Sequence, residues 1–448
     1  MHVKLKDSWG IKSMMLTRFN DLVRNKSLLA YLKNSAWMIA EYFLKIIATI
    51  FVTIYVARYL GPEQFGVLSY ILAITAIVKA LTRLGMDGVL VRDLIKYPDQ
   101  TRAYMGTAFG LMIIASLIGI VSIGLFSYLL ESDEQVKLYI FIIATSLIFQ
   151  AFSVIDFNFQ SKLMSKYSAI AKSISFGISS IVKVYLVLTN AEFILIVASY
   201  VFDAFLMTVM LITAHIYKKQ QHFTFNFDYS LISPLLKSAW PLVVSAASAI
   251  LYMRIDQVMI GNMLDTSQLG LYSAASKVFE GWIMLSYIVS VSLLPAIAKL
   301  KTKSADTYEQ SLIFLFRVLV GLGIVFAITT IFCSEFLIVS IFGLQFIEAE
   351  GSLIILMLAS PFIALRTLSV RYMIVEGYEN KIAARTLFTL FVNIILNWIL
   401  IPIYGIEGAG ISTLISLFIG SYVVNYFDSE LYQLRRICNN SFFIKNKY

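Results

Sequence analysis

The chain has 448 residues, 59% of them hydrophobic and only 14% charged, with a mean hydropathy of +0.80. Soluble domains carry about 25% charged residues, so this chain cannot dress a water-facing surface, and a soluble enzyme is excluded. A disordered chain is excluded by 33 Phe and 25 Tyr, and the net charge of +9 does not mark a nucleic-acid binder, because the basic residues punctuate apolar runs.

In chain order, residues 1–30 read as a basic tail without a continuous apolar stretch, so no cleavable signal peptide is expected. Within it Trp9–Val23 fits either an amphipathic helix on the membrane surface or a disordered basic tail. A helix crosses a bilayer with about 20 apolar residues. Twelve runs of roughly that length follow, at 34–58, 66–82, 103–130, 138–156, 168–188, 193–216, 236–261, 269–297, 310–332, 351–371, 382–402 and 408–427. Phe336–Phe342 is apolar but too short to span and is expected to form a re-entrant or interfacial segment. Seven Pro in the whole chain suit long helices, and the runs are too continuous for the alternation of a β-barrel. Cys333 and Cys438 define no disulfide framework, and His2, His215 and His222 form no ligand cluster, so no metal site is expected.

Charge orients these spans. Of 36 basic residues, 27 fall in the two tails and the even-numbered turnings, while the odd-numbered turnings hold only Arg58 and Lys137 beside ten acids. By the positive-inside rule both termini are cytoplasmic, in a plasma or inner membrane.

The chain also repeats itself. Leu60-Gly61-Pro62-Glu63-Gln64-Phe65-Gly66-Val67-Leu68-Ser69 returns as Leu264-Asp265-Thr266-Ser267-Gln268-Leu269-Gly270-Leu271-Tyr272-Ser273, an offset of 204, and Asn34-Ser35-Ala36-Trp37 has its counterpart in Lys237-Ser238-Ala239-Trp240. Six spans per copy give both copies the same orientation, so the repeat is parallel, about an axis along the membrane normal. The expected organisation is an N-lobe of six helices at 31–216, a cytoplasmic linker at 217–229, a C-lobe of six helices at 230–428 and a cytoplasmic tail at 429–448.

These motifs, with Arg254-Ile255-Asp256-Gln257-Val258-Met259-Ile260-Gly261 and Tyr404-Gly405-Ile406-Glu407-Gly408-Ala409-Gly410, resemble those of Wzx-type polysaccharide flippases over about residues 31–428. That family belongs to the multidrug/oligosaccharidyl-lipid/polysaccharide exporter superfamily. The resemblance implies an all-α polytopic protein of about twelve helices in two MATE-like lobes. It further implies alternating access and export of undecaprenyl-pyrophosphate-linked oligosaccharides, such as O-antigen, capsule or exopolysaccharide units, across the bacterial inner membrane.

Seven basic residues lie inside spans: Lys45, Lys79, Lys183, Arg254, Lys277, Arg317 and Arg366. Four acids join them: Glu41, Asp203, Asp256 and Glu280. A charge at mid-bilayer costs about 2.5–3.5 kcal/mol on insertion scales, so these residues should face protein or a water-lined cleft. Lys79, Lys183 and Arg366 either snorkel to an interface or line the path. Glu41 with Lys45 and Lys277 with Glu280 are spaced to pair along one helix face, or serve the substrate. Arg254 and Asp256, two residues apart, point to nearly opposite sides of their helix. The basic seven, led by Lys45, Arg254 and Lys277 with Arg317 next, are the candidates for an anionic pyrophosphate or acidic sugar, which Arg grips with its bidentate fork. Asp203, Asp256, Glu280 and Glu41 are the candidates for proton or sodium coupling. Tyr272, Trp282 and Tyr287 are aromatic platforms for sugar rings or plain membrane anchors.

The expected function is therefore a flippase, either passive or coupled to H+ or Na+, with no other cofactor. Its partners are the bilayer, the polyprenyl-pyrophosphate-linked glycan and other polysaccharide assembly proteins, with no nucleic acid. A drug exporter or a lipid-II-type flippase is the transporter alternative. A membrane polymerase or ligase is the remote one, disfavoured because outer loops this short offer no catalytic set.

Overall fold

The computed structural model describes residues 26–131, 133–218, 226–301 and 305–442, without the side chains of 26–36, 38–40, 42–47, 130, 292–300, 305–306 and 442. Among the described residues all regular structure is helical. Hydrocarbon demands this, since each backbone N–H and C=O must find its partner within its own segment.

The first helix, α1 (Lys26–Thr82), runs for 57 residues and breaks at Gly61, with φ 69° and ψ 177°, a conformation open only to glycine. An unbroken helix would hold residues 41 and 83 about 60 Å apart. Instead both lie beside residues 156–157. Lys172 Nζ is 2.6 Å from Asp156 and 3.9 Å from Glu41, and the Arg83 guanidinium is 5.6 Å from the Phe157 ring. Gly61 thus folds α1 into two antiparallel passages. An amphipathic α2 (Met86–Lys96) follows, burying Met86, Val89, Leu90 and Leu94. Next come α3 (Thr101–Leu130) and a passage built from α4 (Glu134–Ala144), α5 (Ser146–Phe149) and α6 (Val154–Ser161). The N-terminal half closes with α7 (Ser165–Leu188) and α8 (Phe193–Tyr217).

The second half begins with α9 (Ile232–Met263), α10 (Thr266–Lys301) and α11 (Ala305–Phe342). It continues with α12 (Glu350–Leu358) and α13 (Ser360–Glu376), bent by 41° where they meet. Then comes α14 (Glu379–Ser421), broken at Gly405 with φ 57° and ψ −138°. Gly408 packs on the Leu400 backbone, Asn393 Nδ2 donates to Thr413 Oγ1 at 3.5 Å, and Gly420 packs on Thr389. Contacts that pair residues at similar distances either side of Gly405 define an antiparallel hairpin. Eight stretches are long and apolar enough to cross a membrane as they stand, nine with the bent pair. Two of them, 49 and 48 residues long, contain the glycine hairpins. With each hairpin taken as two passages and α10 added, the described chain makes the twelve passages expected.

One expectation changes. Phe336–Phe342 is not a separate re-entrant piece; it is the end of the 38-residue α11, which continues unbroken until Gly343 takes φ 100°. The Ser334 hydroxyl lies against the Glu350 carboxylate at 2.6 Å, tying this extension to the next helix. Within 429–448 lies α15 (Tyr432–Phe442), whose Leu434, Ile437 and Cys438 are buried. The reading of Trp9–Val23 lies outside the described residues.

The packing is polarised. One apolar core runs through both halves, from Val56, Leu60 and Phe65 to Tyr252, Leu269 and Phe346. At the other end there are two cores: one around Met86, Met112 and Phe157 that reaches across to Leu235 and Ala239 of α9, and one around Phe316, Leu365 and Leu434 within the second half. The lobes share their broadest core at the end bearing Gly61, and at the end bearing α2 they meet where Gly85 and Gly88 pack on Ala239 and Leu242 of α9.

Candidate functional site: the lobe interface and two charged clusters

The two copies of the repeated motif meet each other. A Cβ on Gly66 would overlap the Thr266 carbonyl, and one on Gly270 would overlap the Pro62 carbonyl. At the offset of 204, Thr266 and Gly270 are the counterparts of Pro62 and Gly66. Each copy therefore sits on the start of the other, which is the self-complementary contact a two-fold axis generates. Around it, Arg58 donates to the Ser340 carbonyl, Gln345 Nε2 donates to Arg58 O at 2.8 Å, and Phe65 meets Phe346 edge-on at 6.0 Å. Tyr70 Oη donates to Asn262 Oδ1 at 3.2 Å. This is the closed end of the molecule.

One charged cluster lies on α9 and α10, the two helices of the second half that make most of the contact with α1. Glu280 accepts from Arg254 Nη1 at 2.8 Å and from Lys277 Nζ at 2.9 Å. Lys277 pairs with Glu280, as their spacing allows, and that pairing brings it together with Arg254. Two cations share one carboxylate, which leaves a net positive charge. The three side chains keep 21%, 30% and 17% of their surface, so the cluster is recessed yet reachable. Glu280, clamped between two cations, is a positioning group for them and not a free carboxylate.

Asp256 faces the other way, as the two-residue spacing requires, and is 7% exposed. Its Oδ1 accepts from Asn397 Nδ2 at 2.6 Å, and its Oδ2 accepts from Tyr272 Oη at 2.7 Å and Thr413 Oγ1 at 2.6 Å. Asn397 Nδ2 also donates to Asn393 Oδ1 at 3.2 Å, and Asn397 Oδ1 has no partner. Among the described residues no Lys, Arg or His pairs with Asp256. A buried carboxylate met only by neutral groups is expensive to keep charged. An oxygen-lined pocket of this kind suits a hard monovalent cation or a proton. The sequence pointed to Asp256 but missed its shell. The signal was there in Asn393 and Asn397, spaced four apart inside an apolar run.

The remaining candidates lie elsewhere. Lys183 does not snorkel; it is 6% exposed, pairs with Asp203 and stands over the Tyr200 ring at 4.1 Å, with Ser179 donating to the same carboxylate. Asp203 is therefore no isolated coupling acid. Arg317 turns away from any cleft and donates to Asn440 O at 2.9 Å, holding α15. Arg366 stacks on Tyr252, 4.6 Å from its ring. Lys79 is exposed. Glu41 meets Lys172 across to α7, and the Lys45 side chain lies outside the described residues. Asp156, 5% exposed and paired with Lys172, escaped the sequence reading because it ends its apolar run. Tyr272 and Trp282 are not sugar platforms: both are buried, Tyr272 on Asp256 and Trp282 donating to Ser360 O at 3.0 Å. Tyr287 stays 44% exposed under Arg371. Among the described residues no three His, Cys, Asp or Glu gather as a metal site.

A two-lobed helical membrane protein with a symmetric closed end is the class this architecture defines, and solved structures share it. The fold matches a lipid II flippase, MurJ, in an inward closed conformation, with a TM-score of 0.70, 18% identity and coverage of 91% of this chain and 90% of that one. It also matches an inward-facing multidrug resistance MATE family transporter of the MOP superfamily, with a TM-score of 0.64, 13% identity and coverage of 89% and 96%. The chain belongs to the polysaccharide biosynthesis protein family, whose pattern it matches over residues 31–301. A relative, the capsular polysaccharide biosynthesis protein CapF of Staphylococcus aureus, is 22% identical over 407 residues, covering 89% of this chain and all of that protein.

Proposed function

We propose that this protein is a flippase for polyprenyl-pyrophosphate-linked oligosaccharides in a plasma membrane, with both termini in the cytoplasm. The observation that carries the reading is the excess positive charge at Arg254, Lys277 and Glu280 on the helices facing the opposite lobe. A recessed site with two cations and one anion is completed by an anionic ligand, and a diphosphate offers both guanidinium and ammonium a partner. A carrier of cationic drugs would want the reverse polarity. The family and the named relative belong to polysaccharide assembly, which supplies the glycan.

The close glycine contact at Gly66 and Gly270 supports an alternating-access reading, in which the lobes pivot about that contact and the substrate enters between them from the cytoplasmic end. The pocket at Asp256 takes Na+ or H+, and filling it changes the balance on α9, which also carries Arg254. Replacing Arg254 or Lys277 with Ala should reduce surface polysaccharide at least tenfold in cells that depend on this protein, at unchanged membrane protein levels. Wild-type export by both variants would refute the cationic site.

A further inference from the structure

A second concentration of unpaired positive charge lies within the second half, apart from the Arg254 cluster. Between α13 and α14 a small recess, open on one side, is lined by Arg366, Ser369, Met373, Arg385, Thr389 and Gly420 among others, with no carboxylate in its wall. Among the described residues neither guanidinium makes an ion pair. Arg385 Nη2 donates to Gly420 O at 3.0 Å, and its Nη1 has only the Met373 sulfur, at 3.6 Å. Arg366 stands over the Tyr252 ring, 4.6 Å from its centroid, a cation–π contact that uses none of its N–H groups. Ser369 is 1% exposed, and its Oγ lies beside the Cys438 thiol. Asp428, near Arg385, is already held by Lys381 at 2.7 Å.

Two guanidinium groups and a buried hydroxyl line one space, and no carboxylate stands in its wall, so the recess carries net positive charge. Thr386 and Thr389 donate back to their own helix, so the donors left for a guest are the two Arg and Ser369. Such a set fits a tetrahedral oxyanion with several acceptor oxygens better than a single-point anion. The depth fits too: Arg385 is one turn from Lys381, on the Lys/Arg-rich side, where phosphate headgroups of the inner leaflet lie.

We propose that this cavity binds a phosphoryl group, as the headgroup of an anionic lipid or as a free phosphate or diphosphate. The site is joined to the Asp256 pocket. Arg366 stacks on Tyr252, Tyr252 Oη meets Ser416 Oγ at 3.4 Å, and Ser416 lies one helical turn from Thr413, a partner of Asp256. An anion here favours a cation there, and by linkage the reverse holds.

The test uses full-length protein carrying Arg254→Gln and Lys277→Gln, so that the cluster assigned to substrate contributes nothing and the outcome stands apart from the transport reading. Inorganic pyrophosphate is titrated calorimetrically in detergent. The unfolding midpoint is also compared in phosphatidylcholine nanodiscs with and without phosphatidylglycerol. Pyrophosphate binding that falls at least tenfold on adding Arg366→Gln or Arg385→Gln establishes a site for a free or substrate-borne phosphoryl group. Stabilisation by phosphatidylglycerol alone, lost in the same variants, assigns a lipid headgroup. Ser369→Ala, which removes one donor without disturbing charge, should weaken whichever ligand binds by a few-fold and guards against variants that fail to fold. Absence of both effects in the background protein, or effects unchanged by the three substitutions, overturns the proposal.

Discussion

Asp256 and Arg254 are two residues apart, yet they belong to different devices because a helix sends them to opposite sides. Arg254 reaches Glu280 on α10, whereas Asp256 enters a cage from Tyr272, Asn397 and Thr413. Replacing Asp256 with Asn keeps the shape and removes the charge. Transport measured in vesicles should then lose its dependence on an imposed Na+ or H+ gradient, and a gradient response equal to wild type would rule out coupling here. Asn397→Ala should lower stability by about 1–3 kcal/mol, because it leaves a buried carboxylate oxygen without its donor; thermal unfolding of the purified variant measures this. Outside the membrane, partial burial works against Asp428, but Lys381 at 2.7 Å holds its carboxyl below the ordinary range. A depressed acid contributes stability above its unfolded value and loses it as pH falls through its folded one. The seam between α14 and α15 should therefore loosen only as acid drops below the usual carboxylate range, about pH 4. Amide exchange at Tyr432–Leu434 compared at pH 7 and pH 3 would detect it, and no difference would show the pair to be incidental.

At the scale of elements, glycine sets the topology. Gly61 and Gly405 each fold a single long helix into a hairpin with one non-helical residue. Gly66 and Gly270 do something different, since their φ is ordinary and what matters is the missing side chain: each lets a backbone carbonyl of the opposite motif come close. Gly66→Leu or Gly270→Leu would force the lobes apart at the closed end. The expected outcome is loss of transport together with a fall in stability of about 1–3 kcal/mol, the usual range for overpacking. Normal export and an unshifted unfolding midpoint would show that the contact can relax. Sequence periodicity placed the apolar runs well but cut α11 short and missed α2 and α15. These two are surface helices, short and half polar, and a search for 20-residue apolar windows cannot register them.

For the whole molecule, the broadest shared core lies at the end bearing Gly61, where both halves contribute to it. Arg58 and Gln345 lock that end through backbone carbonyls of the opposite half. Removing both with Arg58→Ala and Gln345→Ala should raise the reactivity of a cysteine at Phe65, a residue 3% exposed, several-fold toward an impermeant maleimide added outside intact cells. Unchanged reactivity would deny that the joint opens; labelling only from the cytoplasmic face would reverse the topology.

The sequence by itself determined that the chain is a helical, multi-pass membrane protein and that a motif of its first half returns in its second. These are properties of composition and period, written residue by residue and independent of what packs on what. It also marked the right charged residues as unusual, because any charge in an apolar run is. Only the tertiary structure decided their roles. Whether Lys183 snorkels or meets Asp203, whether Arg317 faces a cleft or caps α15, and that Arg385 joins Arg366 around one cavity all depend on contacts between distant segments. The free energy of a buried charge is set by those neighbours, and no local pattern encodes them.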